Sequence, residues 1–261
     1  MANGQCFPRY YYEPLENSTL LPTEKQVIID GYVQRDAITD GILAKARNLY
    51  GEKVDKDDIF FYVYGALHST SYRERYANDL KKELARLPLP LPGVFWQCSA
   101  IGRELADVHL NYESGKSTIG DRDGKPFKKL APVPLRVVST EPEGISDAAL
   151  YRVDKKMKLG TKTERQEDGS TRKVFNGSLE YNKYLTIMGI PLESFNYVVN
   201  GRSPLEWLVE RYYCKEDKAS GIVDDPNEWS SNPRYIFDMV PRLVAVSLRT
   251  LELTSQLPDL E

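Results

Sequence analysis

Histidine is nearly absent from this sequence, with two residues in 261, and cysteine is scarce, with three. Cys6, Cys98 and Cys214 are odd in number and far apart, which excludes a disulfide framework and fits a reducing cytoplasm. Two histidines and three scattered cysteines also give no zinc-ligand spacing. No apolar run approaches the roughly 18 residues of a membrane span, and the opening "MANGQCFPRY" has neither the basic nor the apolar part of a signal peptide. No repeat of fixed period is evident. What is abundant is tyrosine: 17 Tyr against 8 Phe imply many half-buried rings whose hydroxyl must find a partner.

The formal charge of -3 names no polyanion partner. Its distribution is more informative. From Lys116 to Lys183 there are 15 Lys and Arg against 10 Asp and Glu, a local +5 inside an acidic chain. A basic middle of this kind is either a polyanion-binding surface or a pair of solvated hairpins.

Three stretches divide the chain: a mainly helical part over 1–113, a strand-rich basic part over 114–190 and a helical C-terminal part over 191–261, read together as one domain. After a short extended start, a helix is expected from Asp36 or Thr39 to Tyr50, stopped by Gly51, and a second behind Asp55, Asp57 and Asp58 through "IFFYVYGALH". Ser71 and Glu74 match a capping box for a third, whose stripe is Tyr72, Tyr76, Leu80 and Leu84, ended by Pro88, Pro90 and Pro92. A fourth spans about Val94 to Leu110. Turns at "DRDGKP" and "EDGST" then separate strand-like runs, "PLRVVS", "ALYRVDKKMKLG", "TRKVFNG" and "YNKYLTIMGI". The "EDGS" tip makes the second and third of these a long basic hairpin. "SPLEWLVERYY" and "PRYIFDMVPRLVAVSLRTLEL" return to helix, with Pro241 kinking the last one or marking its start. The fold class is mixed α/β (α+β): helices at both ends packed on a central, mostly antiparallel sheet with a protruding basic hairpin.

Catalytic motifs are incomplete. Gly115-Lys116-Ser117-Thr118 is the tail of a phosphate-binding loop, but the glycine required five residues earlier is Leu110, and the segment follows a helix rather than a strand. "SSNPRYIF" has Arg234 where an adenine-binding Asn-Pro-Pro-Tyr motif needs its second proline, so Asn232 reads as a cap with Pro233 behind it. His68 beside Ser69 lacks a glycine elbow, and His109 stands alone at a helix end. Asp224, Asp225 and Glu228 form either a metal site or a turn that caps its own backbone.

Six segments occur in an order that is far more specific than any of these motifs: "DAITDGILAKARNLYG", "KDDIFFYVYGALHSTSYRERYANDLKKELARLPLP", "FWQCSAIGRELADVHLNYE", "YNKYLTIMGIP", "YVVNGRSPLEWLVERYYCKEDKASGIVDDPNEW" and "NPRYIFDMVPRLVAVSLRTLE". Together they resemble the C-terminal target-recognition (specificity) region of type ISP restriction–modification enzymes. The likeness covers most of the chain and is weakest at Gly115–Lys173, where a specificity region varies with its target. The resemblance implies sequence-specific binding of double-stranded DNA by a non-catalytic module. Adenine methylation and DNA cleavage, with S-adenosylmethionine, ATP and Mg, would belong to the methyltransferase, helicase and nuclease parts of the same polypeptide. Met1 directly before "ANGQCFPRY" then implies an excised piece or a shortened reading frame. Candidate DNA contacts are Lys155, Lys156, Lys158, Lys162, Arg165, Gln166, Arg172, Lys173 and Asn176 of the basic hairpin, with Arg35, Lys183, Arg202 and Lys218 outside it. The lysines are assigned to phosphate, and Arg165, Gln166 and Arg172 near the tip to bases. Two rivals remain: a small metal-dependent nuclease using Asp224, Asp225 and Glu228, and a scaffold that only docks to a methyltransferase core.

Overall fold

Local signals set the ends of most helices in the computed structural model, which describes residues 6–15, 27–166 and 168–260. Thr39 caps α1 (Asp40–Tyr50) through Ile42 N–H, and Gly51 closes it with φ 101°, a conformation that glycine adopts without strain. Asp55 and Asp58 form a reciprocal capping box on α2 (Lys56–His68). The described residues form two compact units, the first running to Ala106 and including Asp121–Lys125 and the residues after Ser255.

In the first unit β1 (Tyr10–Pro14), β2 (Ile28–Ile29) and β3 (Tyr32–Asp36) make an antiparallel sheet in the order β1-β3-β2, with Val33 fully buried. Tyr50, Val54, Ile59, Tyr62, Ala66, Phe95 and Cys98 form its core with α4 (Pro92–Leu110). The Tyr50 and Phe95 rings stack at 4.0 Å. Helices α2 and α4 touch backbone to backbone: a Cβ on Gly102 would lie 1.9 Å from the Phe61 carbonyl, and one on Gly65 2.4 Å from that of Cys98. Tyrosine behaves as its abundance implies, since the buried Tyr62 and Tyr72 donate to the carbonyls of Pro88 (2.6 Å) and Arg86 (2.9 Å).

The third helix departs from the sequence reading. α3 is Thr70–Arg75, six residues, and Ser69 rather than Ser71 is its cap, accepting from Tyr72 N–H. Of the expected stripe only Tyr72 is buried, while Tyr76 is 38% and Leu84 54% exposed. A helix of that length needs an apolar face packed on something. Beyond Tyr76 the chain therefore continues as turns, such as Leu80 N–H to the Tyr76 carbonyl.

In the second unit β4 (Arg136–Ser139), β5 (Lys158–Arg165), β6 (Thr171–Glu180) and β7 (Leu185–Met188) form an antiparallel sheet in the order β4-β7-β6-β5. Leu179, Leu185 and Ile187 of the sheet pack against Leu205 and Leu208 of α6 (Pro204–Arg211) and Val240 and Val244 of α7 (Tyr235–Ser255). The run "ALYRVDKKMKLG" is strand only from Lys158. Its start is the short helix α5 (Asp147–Leu150), because Ser146 caps Ala149 N–H and buries Leu150. A two-stranded ribbon, β8 (Lys215–Glu216) with β9 (Val223–Asp224), completes the strands. Pro241 lies inside α7, and its carbonyl accepts from Val133 N–H at 3.2 Å. Asn232 Oδ1 accepts from Arg234 N–H, so it caps the turn that leads into α7 rather than the helix itself. The class is mixed α/β with antiparallel pairing throughout, as the sequence indicates. No helix among the described residues is long and apolar enough to cross a membrane.

Candidate nucleic-acid interface

Lys155, Lys156, Lys158 and Lys183 come together in the second unit around one cleft of about 570 Å³, which Arg152 also lines. Asn182 builds it. Its side-chain amide donates to the carbonyls of Leu150 (2.7 Å) and Arg152 (3.0 Å), while its Oδ1 accepts from Tyr184 and Leu185 N–H, both at 2.9 Å. All four hydrogen-bonding positions of the amide are used. The fully buried Tyr181 adds a bond from its hydroxyl to the Tyr151 carbonyl at 2.7 Å, and burial raises its pKa. Asn182→Ala should lower the stability of this unit by about 2 kcal/mol, since it strands two carbonyls and two amides. Urea denaturation followed by circular dichroism would measure it.

The cleft cations are not equivalent. Arg152 is committed to Asp154 (2.7 Å) and Asp225 (2.5 Å). Lys156 pairs with Glu210, which also receives Arg202 at 3.2 Å. Lys158 stands 3.8 Å from Glu180, a looser pair in solvent. Lys155 has no ion pair among the described residues, and Lys183 lies over the Tyr184 ring at 4.6 Å.

The other candidates are distributed elsewhere. Lys162, Arg165, Gln166, Arg172 and Lys173 lie on the β5–β6 ribbon and its turn, all exposed. By sequence this ribbon is close to neutral: Lys158, Lys162, Arg165, Arg172 and Lys173 face Glu164, Glu167, Asp168 and Glu180. Glu167 lies outside the described residues, and Lys162 pairs with Glu164 at 2.7 Å. Asn176 is structural: its Oδ1 accepts from Ser178 N–H and hydroxyl, at 3.0 and 2.6 Å. Lys218 sits exposed in the β8–β9 turn, which Asp217 orders by accepting from Ala219 and Ser220 N–H. Arg35 belongs to the first unit, on β3, bonded to Glu13 at 3.1 Å.

The decoys are accounted for by their partners. Thr118 and Ile119 N–H, the donors that a phosphate would need, both bind the Asp107 carboxylate at 2.8 Å. Asp225 accepts from Asn227 backbone and side chain as well as from Arg152, so "VDDPNEW" is a self-capping turn. Burial alone would raise the Asp225 pKa, but its bonds from Asn227 and Arg152 hold it below the usual carboxylate range. His68 Nδ1 meets the Tyr64 carbonyl at 2.8 Å, and burial lowers its pKa. His109 stacks on Tyr197 and reaches Thr250 Oγ1 at 2.9 Å.

The profile of the type ISP C-terminal specificity domain matches residues 1–239. The chain belongs to the type ISP specificity-domain family. It is similar to part of the ATP-dependent type ISP restriction-modification enzyme LlaBIII, solved bound to DNA, with 32% identity and a TM-score of 0.70 over 97% of this chain. A nuclease-deletion mutant of the type ISP enzyme LlaGI, solved with a DNA substrate mimic, gives 37% and 0.61 over 87%, and a DrdV–DNA complex gives 28% and 0.64 over 88%. The chain spans 14% of the length of the first two and 21% of the third. No curated protein matches it significantly. The matching part of the type ISP family is its specificity domain. Asn182, which the sequence reading did not single out, holds the cleft together through four hydrogen bonds. The signal for Asn182 was available, as an asparagine between two strand-like runs that bonds its own backbone two and three residues on.

Proposed function

We propose that this chain recognises a specific sequence in duplex DNA as the target-recognition module of a type ISP restriction–modification enzyme. The observation that carries the reading is the Asn182 cleft, which gathers Lys155, Lys156, Lys158 and Lys183 on one unit of a specificity domain. The solved relatives LlaBIII, LlaGI and DrdV, each in complex with DNA or a mimic of it, support the ligand class. The cleft lysines hold phosphates, and side chains of the β5–β6 ribbon reach base edges. The chain itself performs no chemistry and holds no cofactor. Methylation of adenine, ATP-driven motion and cleavage, with S-adenosylmethionine, ATP and Mg, belong to the rest of the polypeptide, which is also its protein partner.

The test is selection by the 261-residue chain from a random duplex library at low salt, followed by titration of the selected duplex with salt. A consensus should emerge, and the logarithm of affinity should fall linearly with the logarithm of salt by about 0.9 per phosphate neutralised. Binding without any consensus, or no binding even at low salt, would overturn the assignment.

A further inference from the structure

The two faces of the β5–β6 ribbon differ in chemistry. Opposite residues are Thr161 and Phe175, Lys162 and Val174, Thr163 and Lys173, Glu164 and Arg172, and Arg165 and Thr171. Side chains alternate between faces along a strand. One face therefore carries Lys162, Glu164, Arg172 and Val174, and its charge is largely internal, with Glu164 bonded to Lys162 and directly opposite Arg172. The other carries Thr161, Thr163, Arg165, Thr171 and Lys173, with no carboxylate and, among the described residues, no ion pair to either cation.

The ribbon that carries this face is held at its base and at its tip. At its base Phe175 packs on Phe195 with ring centroids 4.5 Å apart. The register shifts between Leu159 and Thr161, where a Cβ on Gly160 would lie 2.0 Å from Ser178 Oγ, so the bend there is fixed by close packing. At the tip, Gln166 N–H bonds the Ser170 carbonyl and Asp168 accepts from Ser170 N–H and hydroxyl. Three of the five exposed residues on this face are threonines, each with a restricted χ1, a hydroxyl and a methyl group. From Thr161 to Arg165 the strand spans about 13 Å at about 3.3 Å per residue, enough for about four base steps. A two-stranded ribbon fits the major groove.

We propose that the Thr161–Thr163–Arg165–Thr171–Lys173 face reads base edges in the major groove and sets the sequence preference, while Arg172 on the opposite face does not. This rests on the duplex-recognition reading above and allots its specificity to one side of the ribbon. The chemistry names the bases: a guanine, whose O6 and N7 accept from Arg165 or Lys173, flanked by thymine, whose methyl meets the threonine methyls.

Random-duplex selection with Arg165→Ala, Thr163→Ala and Arg172→Ala in the full chain separates the outcomes, with circular dichroism confirming that each exposed substitution leaves the fold intact. Arg165→Ala should erase a guanine from the consensus and reduce discrimination there about 10-fold. Thr163→Ala should blur a neighbouring position, and Arg172→Ala should leave the consensus unchanged and weaken all duplexes alike. A consensus altered by Arg172→Ala and untouched by Arg165→Ala would overturn the face assignment while leaving DNA recognition standing. Loss of any consensus in the parent chain would instead overturn the recognition reading and this one with it.

Discussion

Asp58→Ala is expected to destabilise the first unit by about 3–5 kcal/mol, the range for breaking a buried ion pair from one side. Asp58 is 1% exposed and sits where three structures meet. Its carboxylate receives Arg103, itself 8% exposed, at 3.4 Å and Arg122 at 3.1 Å, and it closes the capping box of α2 with Asp55. Removing it leaves Arg103 buried beside the Phe61 ring with no carboxylate, and releases the "DRDG" turn whose Arg122 also covers Trp96 at 4.6 Å. Asp58→Asn keeps an acceptor for Asp55 N–H and for the guanidiniums, so it should cost less than half as much. Urea denaturation midpoints of the two variants measure the difference, and equal losses would show that the charge alone matters.

The pH dependence has the opposite sign from that of a carboxylate held low by its ion pairs. Burial lifts the Asp58 pKa above its ordinary value of 3.8, although Arg122 and the bond from Asp55 pull it back. A group whose folded pKa is raised binds its proton more tightly in the folded state, so its ionisation costs stability as pH rises through that value. Acid sensitivity must therefore come from carboxylates such as Asp36 and Asp225. Each would be raised by burial but is held low by its bonds, Asp36 from Arg9 and Lys56. Their contribution is complete above about pH 4 and is lost as pH falls through their lowered values.

The contrast between Ser69 and Ser71 shows what the sequence could and could not disclose. Helix starts at Thr39, Asp55 and Ser203 were legible because a capping side chain acts on its own backbone within three residues. The third helix was misjudged because its apolar stripe has the right spacing but is buried only at Tyr72: Leu80 is half-buried against the core while Tyr76 and Leu84 are exposed, and spacing contains no information about what lies opposite. The site shows the same division. Positive charge between Lys116 and Lys183 was visible as a count, but its neutralisation was not. Glu210, some fifty residues beyond Lys156, removes that lysine from the balance, and Glu164 does the same to Lys162. The two faces of the ribbon required the register, which is fixed by the Gly160 bulge and the turn rather than by composition.

Lys155→Glu, Lys156→Glu and Lys158→Glu combined are expected to abolish duplex binding at moderate salt and to weaken it about 1,000-fold at low salt. With Lys155 and Lys158 on phosphates and Lys156 already paired with Glu210, the slope of log affinity against log salt falls by about 1.8, two contacts at about 0.9 each, and reversal at all three positions adds repulsion from the phosphates themselves. The cleft makes part of this change ambiguous, because reversal at 156 puts like charge against Glu210 and reversal at 158 against Glu180. A second pair, Lys155→Glu with Lys183→Glu, avoids both, since neither lysine has an ion-pair partner among the described residues. It should still cost about 100-fold, measured by fluorescence anisotropy with the selected duplex. Lys162→Glu, where the pair with Glu164 already screens the charge, should cost least of all. Near-native affinity in the Lys155 and Lys183 pair at low salt would remove the cleft from the interface and leave the backbone contacts to Arg202, Lys218 or the ribbon. If the pair and the triple variant lose affinity equally across all sequences while the consensus persists, the cleft holds phosphates and the bases are read elsewhere on the unit.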